Sequence, residues 1–529
     1  MTGVRSRLRP TVTFLPYLLT ILSICVRIPF IRAGHPWGDD FAEYLSQAIS
    51  ICNGTVSECV SDFSDIAAES DVLLGPGAYP WGLPICLAPA YAAFGFSLPA
   101  FKIVCLFFWA LFAFVFVRTA IDRFGAWRGT AASLVVLIEP SMIRHADMVL
   151  SDIPFLAVSF LAVSACSSFF RTPEEHSTVP AVPSGRLWRA GVLGFLFFAA
   201  LQFRTNGLVL PIVFVAMYLA SLIRERLPPS WRLRRWMENT GEFRRPSFRE
   251  IAALVSAFII CTGAVSGLLT TGGNGHLAAL GGISRQSLFE QTAHTIQILP
   301  EFIGVEVCRF KGLLGWFVLF LIVVVSLLNL RRYLVSSLFV FGTLAVFCIW
   351  PGRGGPRFLF CIVPWVVLWA FDTARWVSER HRFFVFVECL AVVSFLVRFS
   401  ILLSVDVRQS DKRILYDNAF SEDAERLYDF VSVHIPQESA VAFEKPRVLH
   451  LATGRRTLLR RTPERILEGA DFVAVCKSIP HSAATGRSLE GRLDDFHCVF
   501  EAGSIQLYEC VRRMPSGSRH ADGSPPQEN

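Results

Sequence analysis

Long apolar runs alternate with short polar stretches over the first four hundred residues, and the alternation stops after Val407. Runs of about 20 apolar residues match the roughly 30 Å hydrocarbon core that a helix must cross. They fall near 11–31, 98–119, 128–146, 149–170, 187–203, 206–224, 250–271, 312–330, 333–350, 356–375 and 383–404. The 128–146 run is the weakest, since Glu139, Pro140, Arg144 and His145 occupy its second half. A further apolar stretch, 82–97 (GLPICLAPAYAAFGFS), is interrupted by two Pro and two Gly. Beyond Val407 the pattern becomes that of a soluble domain. Ser421 before Glu422 and Asp423 starts a helix, with acids against the positive end of its dipole. SAVAFE, DFVAVC and SIQLYEC read as short strands bounded by turn residues. The expected architecture is a polytopic α-helical membrane domain over 1–405 with about 11 transmembrane helices, a small α/β domain over 406–513, and a tail over 514–529 of disordered composition.

Composition agrees. Apolar residues make up 53% and charged residues 18% of the chain, against about 25% charged in soluble proteins, and the mean hydropathy is +0.47. These values exclude a disordered protein, a nucleic-acid binder and an ordinary cytosolic enzyme. The net charge of +7 is modest, so its distribution matters more. Arg118, Arg123 and Arg128 form one basic link; Arg171, Arg186 and Arg189 a second; eight Arg between Arg224 and Arg249 a third. Arg331 with Arg332, and Arg375, Arg380 and Arg382, complete the set. The positive-inside rule places all five in the cytoplasm. Parity then makes 82–97 an interfacial or re-entrant element, with the N-terminus inside and the C-terminal domain outside. Arg5, Arg7 and Arg9 before the first run suit a signal peptide, but the run is long and lacks a small-x-small cleavage site, so it reads as a retained span. Of fourteen Cys, the pairs Cys52/Cys59 and Cys498/Cys510 are each close enough in sequence to bridge on an oxidising side. No CxxC or Cys/His cluster has zinc-site spacing.

The candidate chemistry lies in the outer segments. The first, 32–97, holds eight acidic residues and one basic, Arg32. Directly after the first run comes HPWGDDFAEYL, where Asp39 and Asp40 adjoin and Glu43 and Tyr44 follow one helical turn later. Adjacent carboxylates at low dielectric ionise reluctantly, as a general base requires; a solvated acidic cap is the plainer reading. His145, Asp147 and Asp152 form a second acidic turn, although an Asp before Ile-Pro is also an ordinary helix N-cap. Arg204, in QFRTNG, and Arg353 and Arg357, in PGRGGPR, are outer-boundary cations whose guanidinium forks suit phosphate; snorkelling to lipid head groups is the alternative. Tyr79 lies in GPGAYPWGLP, either a groove cap or an aromatic belt anchor. The sequon Asn53-Gly-Thr55 matters only in a glycosylating compartment.

GDDFAEYLSQAISICNG after the first span, AYPWGLPICLAPAYAAFG before the second, SDIPF at the fourth and PRFLFCIVP late in the chain resemble, in order, the landmarks of the GT-C membrane glycosyltransferases. These include protein O-mannosyltransferases, the aminoarabinose lipid A transferase and lipopolysaccharide-core transferases. The resemblance covers residues 1–405. It implies sugar transfer, with inversion, from a polyprenyl-phosphate donor to a hydroxyl of a lipid, glycan or protein acceptor, on the outer face of an inner, plasma membrane and in cell-envelope glycan biosynthesis. By family spacing Asp40, four residues before Tyr44, matches the catalytic Asp. Many relatives have Asp-Glu there, whereas Phe41 follows here, so a second acid is Asp39 or Glu43. Asp152 matches the second carboxylate, and Arg204, Arg353 and Arg357 sit where relatives place groups near the lipid phosphate. A divalent metal on Asp40 with His35 and His145 is possible on residue type. A transporter, flippase or polymerase of lipid-linked glycans is the alternative, but such proteins put ionisable groups near the midplane, where these spans have few. A membrane scaffold with a sensory outer domain is a third reading and leaves the acidic first loop without a role.

Overall fold

The computed structural model describes residues 10–511 except 73, 172–182, 241–242, 270–284, 304–310, 351–354, 382, 411–417 and 493. Arg353 and the 514–529 tail lie outside the described residues. The chain forms two compact units, one of residues 1–33, 51–54 and 80–414, the other of 34–50, 55–79 and 415–529.

The first unit is helical. Its N-terminal elements are α1 (Pro10–Arg27), α4 (Gly82–Phe94), α5 (Leu98–Leu137), α6 (Pro140–Arg144) and α7 (Asp152–Phe170); α2 (Asp40–Asn53) and α3 (Val56–Glu69) precede α4 in the chain. Among the described residues nine helices are long and apolar enough to cross a membrane, with α4 and the Phe14–Arg27 stretch of α1 as shorter apolar helices. The chain is an integral, multi-pass membrane protein. With 13 residues, α4 rises only about 20 Å, short of a bilayer core, which fits the non-spanning element expected there.

Two of the expected basic loops are tight turns between successive helices. The runs at 98–119 and 128–146 lie in two helices that meet within α5 at Gly125 (φ 79°, ψ 177°), a conformation closed to residues with a Cβ, and the second doubles back so that Gly129 packs on Ile121. The second run also stops at Leu137, before Pro140 opens α6. Likewise Lys311–Ile349 is two helices that turn about Tyr333, close enough for the Ser326 hydroxyl to donate to that of Ser337 at 2.9 Å. Asp372 is the reason both turns can hold a fixed shape. Its carboxylate takes Arg123 at 2.7 Å and Arg332 at 3.3 Å, and accepts the Tyr333 hydroxyl at 2.5 Å. Arg128 closes the same region on Glu388 at 2.8 Å. Basic links that retain the last helical turns can thus be satisfied by carboxylates on neighbouring helices.

Between the spans the packing is aromatic. Phe112 and Phe116 of α5 stack at 5.6 Å, and both meet Phe160 of α7 edge-on. Phe160 in turn stacks at 4.7 Å on Trp365 of the Val363–Ser378 helix. Gly82 opens α4 against the backbone of Gln202, where an added Cβ would lie 2.6 Å from the carbonyl oxygen. That approach seats the turn carrying Arg204 beside α4.

The second unit holds a five-stranded mixed sheet of order β2-β1-β3-β5-β4, formed by β1 (Ala440–Ala442), β2 (Arg456–Leu458), β3 (Phe472–Cys476), β4 (Phe496–Ala502) and β5 (Ile505–Cys510). Strands β2, β1 and β3 are parallel, and β5 pairs antiparallel with β3 and β4. The helix expected at Ser421 runs Glu422–His434, with the Ser421 hydroxyl accepting from the Ala424 N–H. First-loop residues cover the exposed edge of β2: Asp71 N–H donates to the Leu459 carbonyl and Leu459 N–H to the Ser70 hydroxyl. Arg456 pairs with Glu69. The sheet therefore shares a unit with the first loop, which the sequence had grouped with the membrane spans. Cys52, Cys59, Cys498 and Cys510 are free thiols.

Asp147 is fully buried, 2.6 Å from the equally buried Lys102 Nζ and 2.6 Å from Nε of the partly exposed Arg32. Removing one partner of a buried ion pair typically costs about 3–5 kcal/mol. Asp147→Asn, which strands Lys102, should lower the melting temperature of the detergent-purified protein by several degrees, measured by thermal unfolding; an unchanged melt would remove this triad from the forces holding the fold.

Candidate functional site

In the second unit the chemistry gathers on the first turns of α2. Asp39 opens the helix through its carbonyl, which accepts the Glu43 N–H at 3.2 Å, and Asp40 and Glu43 fall in the first turn. Phe41, Ala42 and Leu45 are wholly buried, so α2 is held rigidly among apolar neighbours. His35 stacks on Phe41 at 3.8 Å between ring centroids, and Trp37 meets Phe443 at 5.7 Å.

Three carboxylates at 39, 40 and 43 then need partners. Tyr79 donates its hydroxyl to Asp40 Oδ1 at 3.0 Å. Arg447, at the start of the Pro446–Thr453 helix, donates to the same hydroxyl oxygen at 3.0 Å and to the Pro76 carbonyl at 3.0 Å. Its guanidinium lies 2.6 Å from Glu43 Oε2, both side chains wholly buried. Lys445 Nζ stands 3.7 Å from Asp39 Oδ2. Gln47, a turn beyond Glu43, donates to the Tyr79 carbonyl at 3.0 Å, and the Tyr44 ring lies 5.2 Å from the Tyr79 ring.

Burial is the main cause of the electrostatics here. It pushes the Asp39 carboxyl up to about 6, against the pull of Lys445 and Arg447, with the Asp40 charge adding a smaller push in the same direction. Burial also raises Glu43, and Arg447 opposes it. Burial acts to lower Arg447, but Glu43, Tyr79 and Asp39 outweigh that and hold the guanidinium charged.

The first unit carries a different cluster. Asp152 opens α7 and pairs with Arg204; Arg357 Nη1 lies 3.7 Å from its other oxygen. Both guanidiniums sit over the Phe358 ring, at 4.4 and 4.9 Å. Two forks thus converge on one buried carboxylate across one aromatic face. His145 rests edge-on against Phe360 at 4.9 Å, with Nδ1 2.7 Å from the Ser141 carbonyl.

The structure thus brings Asp39, Asp40, Glu43, Tyr44 and Tyr79 into one cluster, and Asp152, Arg204 and Arg357 into another. Asp147, expected at the substrate, is instead buried with Lys102 and Arg32. Among the described residues no group of three or more His, Cys, Asp or Glu can hold a metal ion. Arg447 and Lys445 were not foreseen. The basic pair in FEKPRV, directly after the strand SAVAFE, was the available signal.

No protein-family model matches the chain, and no curated protein does. Solved structures do. ArnT from Cupriavidus metallidurans, bound to undecaprenyl phosphate, is 12% identical with a TM-score of 0.54 over 94% of this chain and 98% of that one. The oligosaccharyltransferase of Archaeoglobus fulgidus, in complex with Zn and sulfate, is 10% identical with a TM-score of 0.53 over 93% and 73%. AglB of the same organism, with an inhibitory peptide and a dolichol-phosphate, is 10% identical with a TM-score of 0.51 over 96% and 75%. These likenesses establish the fold: a polytopic helical membrane domain with a small C-terminal sheet domain, shared with ArnT and the archaeal oligosaccharyltransferase.

The raised Asp39 carboxyl carries a stability signature. Its folded value of about 6 exceeds the ordinary 3.8, so folding favours the protonated form, and stability falls as pH rises between those values. A two-unit shift corresponds to at most about 3 kcal/mol. Asp39→Asn removes the penalty and should raise the melting temperature at pH 7.5, with the gain shrinking towards pH 4. A gain of equal size at both pH values would mean that the charge of Asp39 is not what the fold resists.

Proposed function

We propose that the chain transfers a sugar from a polyprenyl-phosphate donor to an acceptor hydroxyl on the outer face of the inner membrane. What carries the reading is Asp40, fixed by the Tyr79 hydroxyl at the start of a buried helix. It occurs in a chain whose fold matches ArnT holding undecaprenyl phosphate and AglB holding a dolichol-phosphate. A general base must have one fixed oxygen geometry and lie at the beginning of the acceptor's proton path. Asp40 has the first property through Tyr79.

In the proposed reaction the acceptor oxygen forms a bond to the anomeric carbon as the bond from that carbon to the phosphate oxygen breaks. The acceptor proton passes to the Asp40 carboxylate, and the leaving electron pair stays on the phosphate. Arg204 and Arg357 stabilise that developing charge, since paired guanidinium forks match phosphate oxygens. Asp152 keeps Arg204 in place between turnovers. Asp39 and Glu43 are secondary acids, and His145 is a wall of the Arg-rich cluster. No divalent metal has a step in this scheme. The acceptor class (lipid, glycan or protein) and the sugar follow from assay, with membranes offered labelled polyprenyl-phosphate sugars.

Asp40→Asn keeps shape and hydrogen-bonding capacity while removing the proton acceptor. It should lower turnover by about 10² to 10⁴, the span usual for a general base, with donor binding retained and Asp39→Asn milder. Near-normal turnover by a folded Asp40→Asn variant would place the base elsewhere.

Arg357→Ala should weaken donor binding by about 2–5 kcal/mol, the usual cost of losing one partner of a buried charge pair, and slow transfer as well. Its looser pairing with Asp152, at 3.7 Å, leaves the fold less dependent on it. Titration with a polyprenyl phosphate reads the affinity; wild-type affinity in this variant would assign Arg357 to structure alone.

A further inference from the structure

The C-terminal domain contributes a wholly buried arginine to the first-loop carboxylates, and the scheme above gives that residue no role. Arg447 is one of the largest fully buried side chains in the protein. An isolated guanidinium would not be taken out of water without compensation. Here Nη1 donates to the Tyr79 hydroxyl oxygen, Nη2 to the Pro76 carbonyl, and the Glu43 carboxylate lies 2.6 Å away. The guanidinium also sits 5.1 Å above the Tyr79 ring and 5.8 Å from the Phe63 ring.

The direction of the Tyr79 proton follows from these contacts. An arginine side chain has donors and no acceptor. The phenol oxygen must therefore accept from Arg447, and its single proton is left to donate to Asp40 Oδ1, 3.0 Å away. A lysine at 447 would supply charge but not the rigid fork that reaches the phenol and the Pro76 carbonyl together.

We propose that Arg447 is a positioning residue for Asp40: by donating to the Tyr79 hydroxyl oxygen it directs that hydroxyl's proton at Oδ1, and it anchors the 76–79 segment against α2 through Pro76 and Glu43. It touches no reacting atom and acts through Tyr79. This rests on the assignment of Asp40 as the base. The charged and titratable groups around it are Asp39, Asp40 and Glu43 from the start of α2, Tyr44 and Tyr79, and Lys445 preceding Arg447. By this account the C-terminal α/β domain completes the catalytic loop, and the sheet serves to present one guanidinium.

The test compares pH profiles of kcat and the donor KM for wild type, Tyr79→Phe, Arg447→Met, Arg447→Lys and the Tyr79→Phe/Arg447→Met double variant, all in full-length protein in membranes. Losing the phenol donor or its lock removes what favours the charged form of the base. The acid limb of kcat should then move to higher pH in Tyr79→Phe and Arg447→Met alike. Misplacing the base should lower kcat by up to about 10²-fold, with donor KM unchanged. Residues acting in one chain are not additive, so the double variant should match Tyr79→Phe alone. Arg447→Lys should recover only part of the rate. Wild-type kcat and acid limb in Arg447→Met, or a uniform fall at every pH without a shift, overturns the proposal. If Arg447→Met does not accumulate, Arg447→Lys decides: a shifted limb supports positioning, and a wild-type profile overturns it. Asp40→Asn is run in parallel. If Asp40→Asn keeps full transfer, the assignment of the base has failed. If Asp40→Asn is inactive while Arg447→Met is normal, only the positioning role has failed.

Discussion

The contact between Arg447 and Glu43 is the constraint from which the order of the second unit follows. Both side chains are wholly removed from solvent at 2.6 Å, an arrangement that stabilises little in itself because desolvation consumes most of the attraction. Its consequence is geometric. A buried guanidinium must find acceptors for its fork, and those available are the Tyr79 hydroxyl and the Pro76 carbonyl. The pair therefore draws residues 76–79 onto α2 and couples both to the Pro446–Thr453 helix. Around it the contacts at the β2 edge, from Glu69 to Asp71, repeat the same connection at a more exposed depth. A first loop with eight acids and one base has its cations supplied from the far end of the chain.

The first unit answers a similar question differently. Asp147 and Asp152 stand five residues apart, yet their surroundings separate their functions. Asp147 is closed between Lys102 and Arg32, one of which is fully buried, and its role is to hold the start of α5 to the end of the first span. Asp152 faces two guanidiniums that share an aromatic platform, one contact short and the other long. A carboxylate that retains one arginine tightly and another loosely leaves the second able to turn to an anion. The difference comes from partners, since residue type and sequence neighbourhood are nearly the same.

The sequence shows the membrane spans because length and apolarity alone define them. It shows the α4 stretch as non-spanning because the parity of the basic links requires it, and its prolines and glycines agree. It shows the Ser421 helix start and strands β1, β3 and β5, whose residues alternate or cluster apolar between turns. Strand β2 was hidden because RTL is three residues in a run of arginines, and β4 because its register shifts between Cys498 and Phe500. The turns at Gly125 and Tyr333 were legible from their arginines, but the pairing of Arg123 and Arg332 with Asp372 was not, because Asp372 lies on another helix. Asp40 and Tyr79 were visible through spacing and landmarks. Arg447 was not, because its partner Tyr79 lies 368 residues away and nothing local marks a pairing at that separation.

Asp39 and Asp40 show how adjacency differs from environment. Side by side in sequence, two acids are expected to raise each other's pKa by repulsion. In the folded unit that repulsion is a minor contribution for Asp39, behind burial and behind the opposing pull of Lys445 and Arg447. What distinguishes the neighbours is the donor each receives. Asp39 faces an ammonium 3.7 Å away. Asp40 accepts from a phenol whose oxygen in turn accepts from Arg447. Helical geometry sends consecutive side chains about 100° apart, so one turn of α2 can face an ammonium with one acid and a fixed hydrogen bond with the next. A carboxylate with a fixed orientation suits proton transfer, and one whose charge is disfavoured by burial suits tuning the charge nearby. The double acid is thus two residues with different surroundings, and the side chains arriving from the C-terminal domain make the difference.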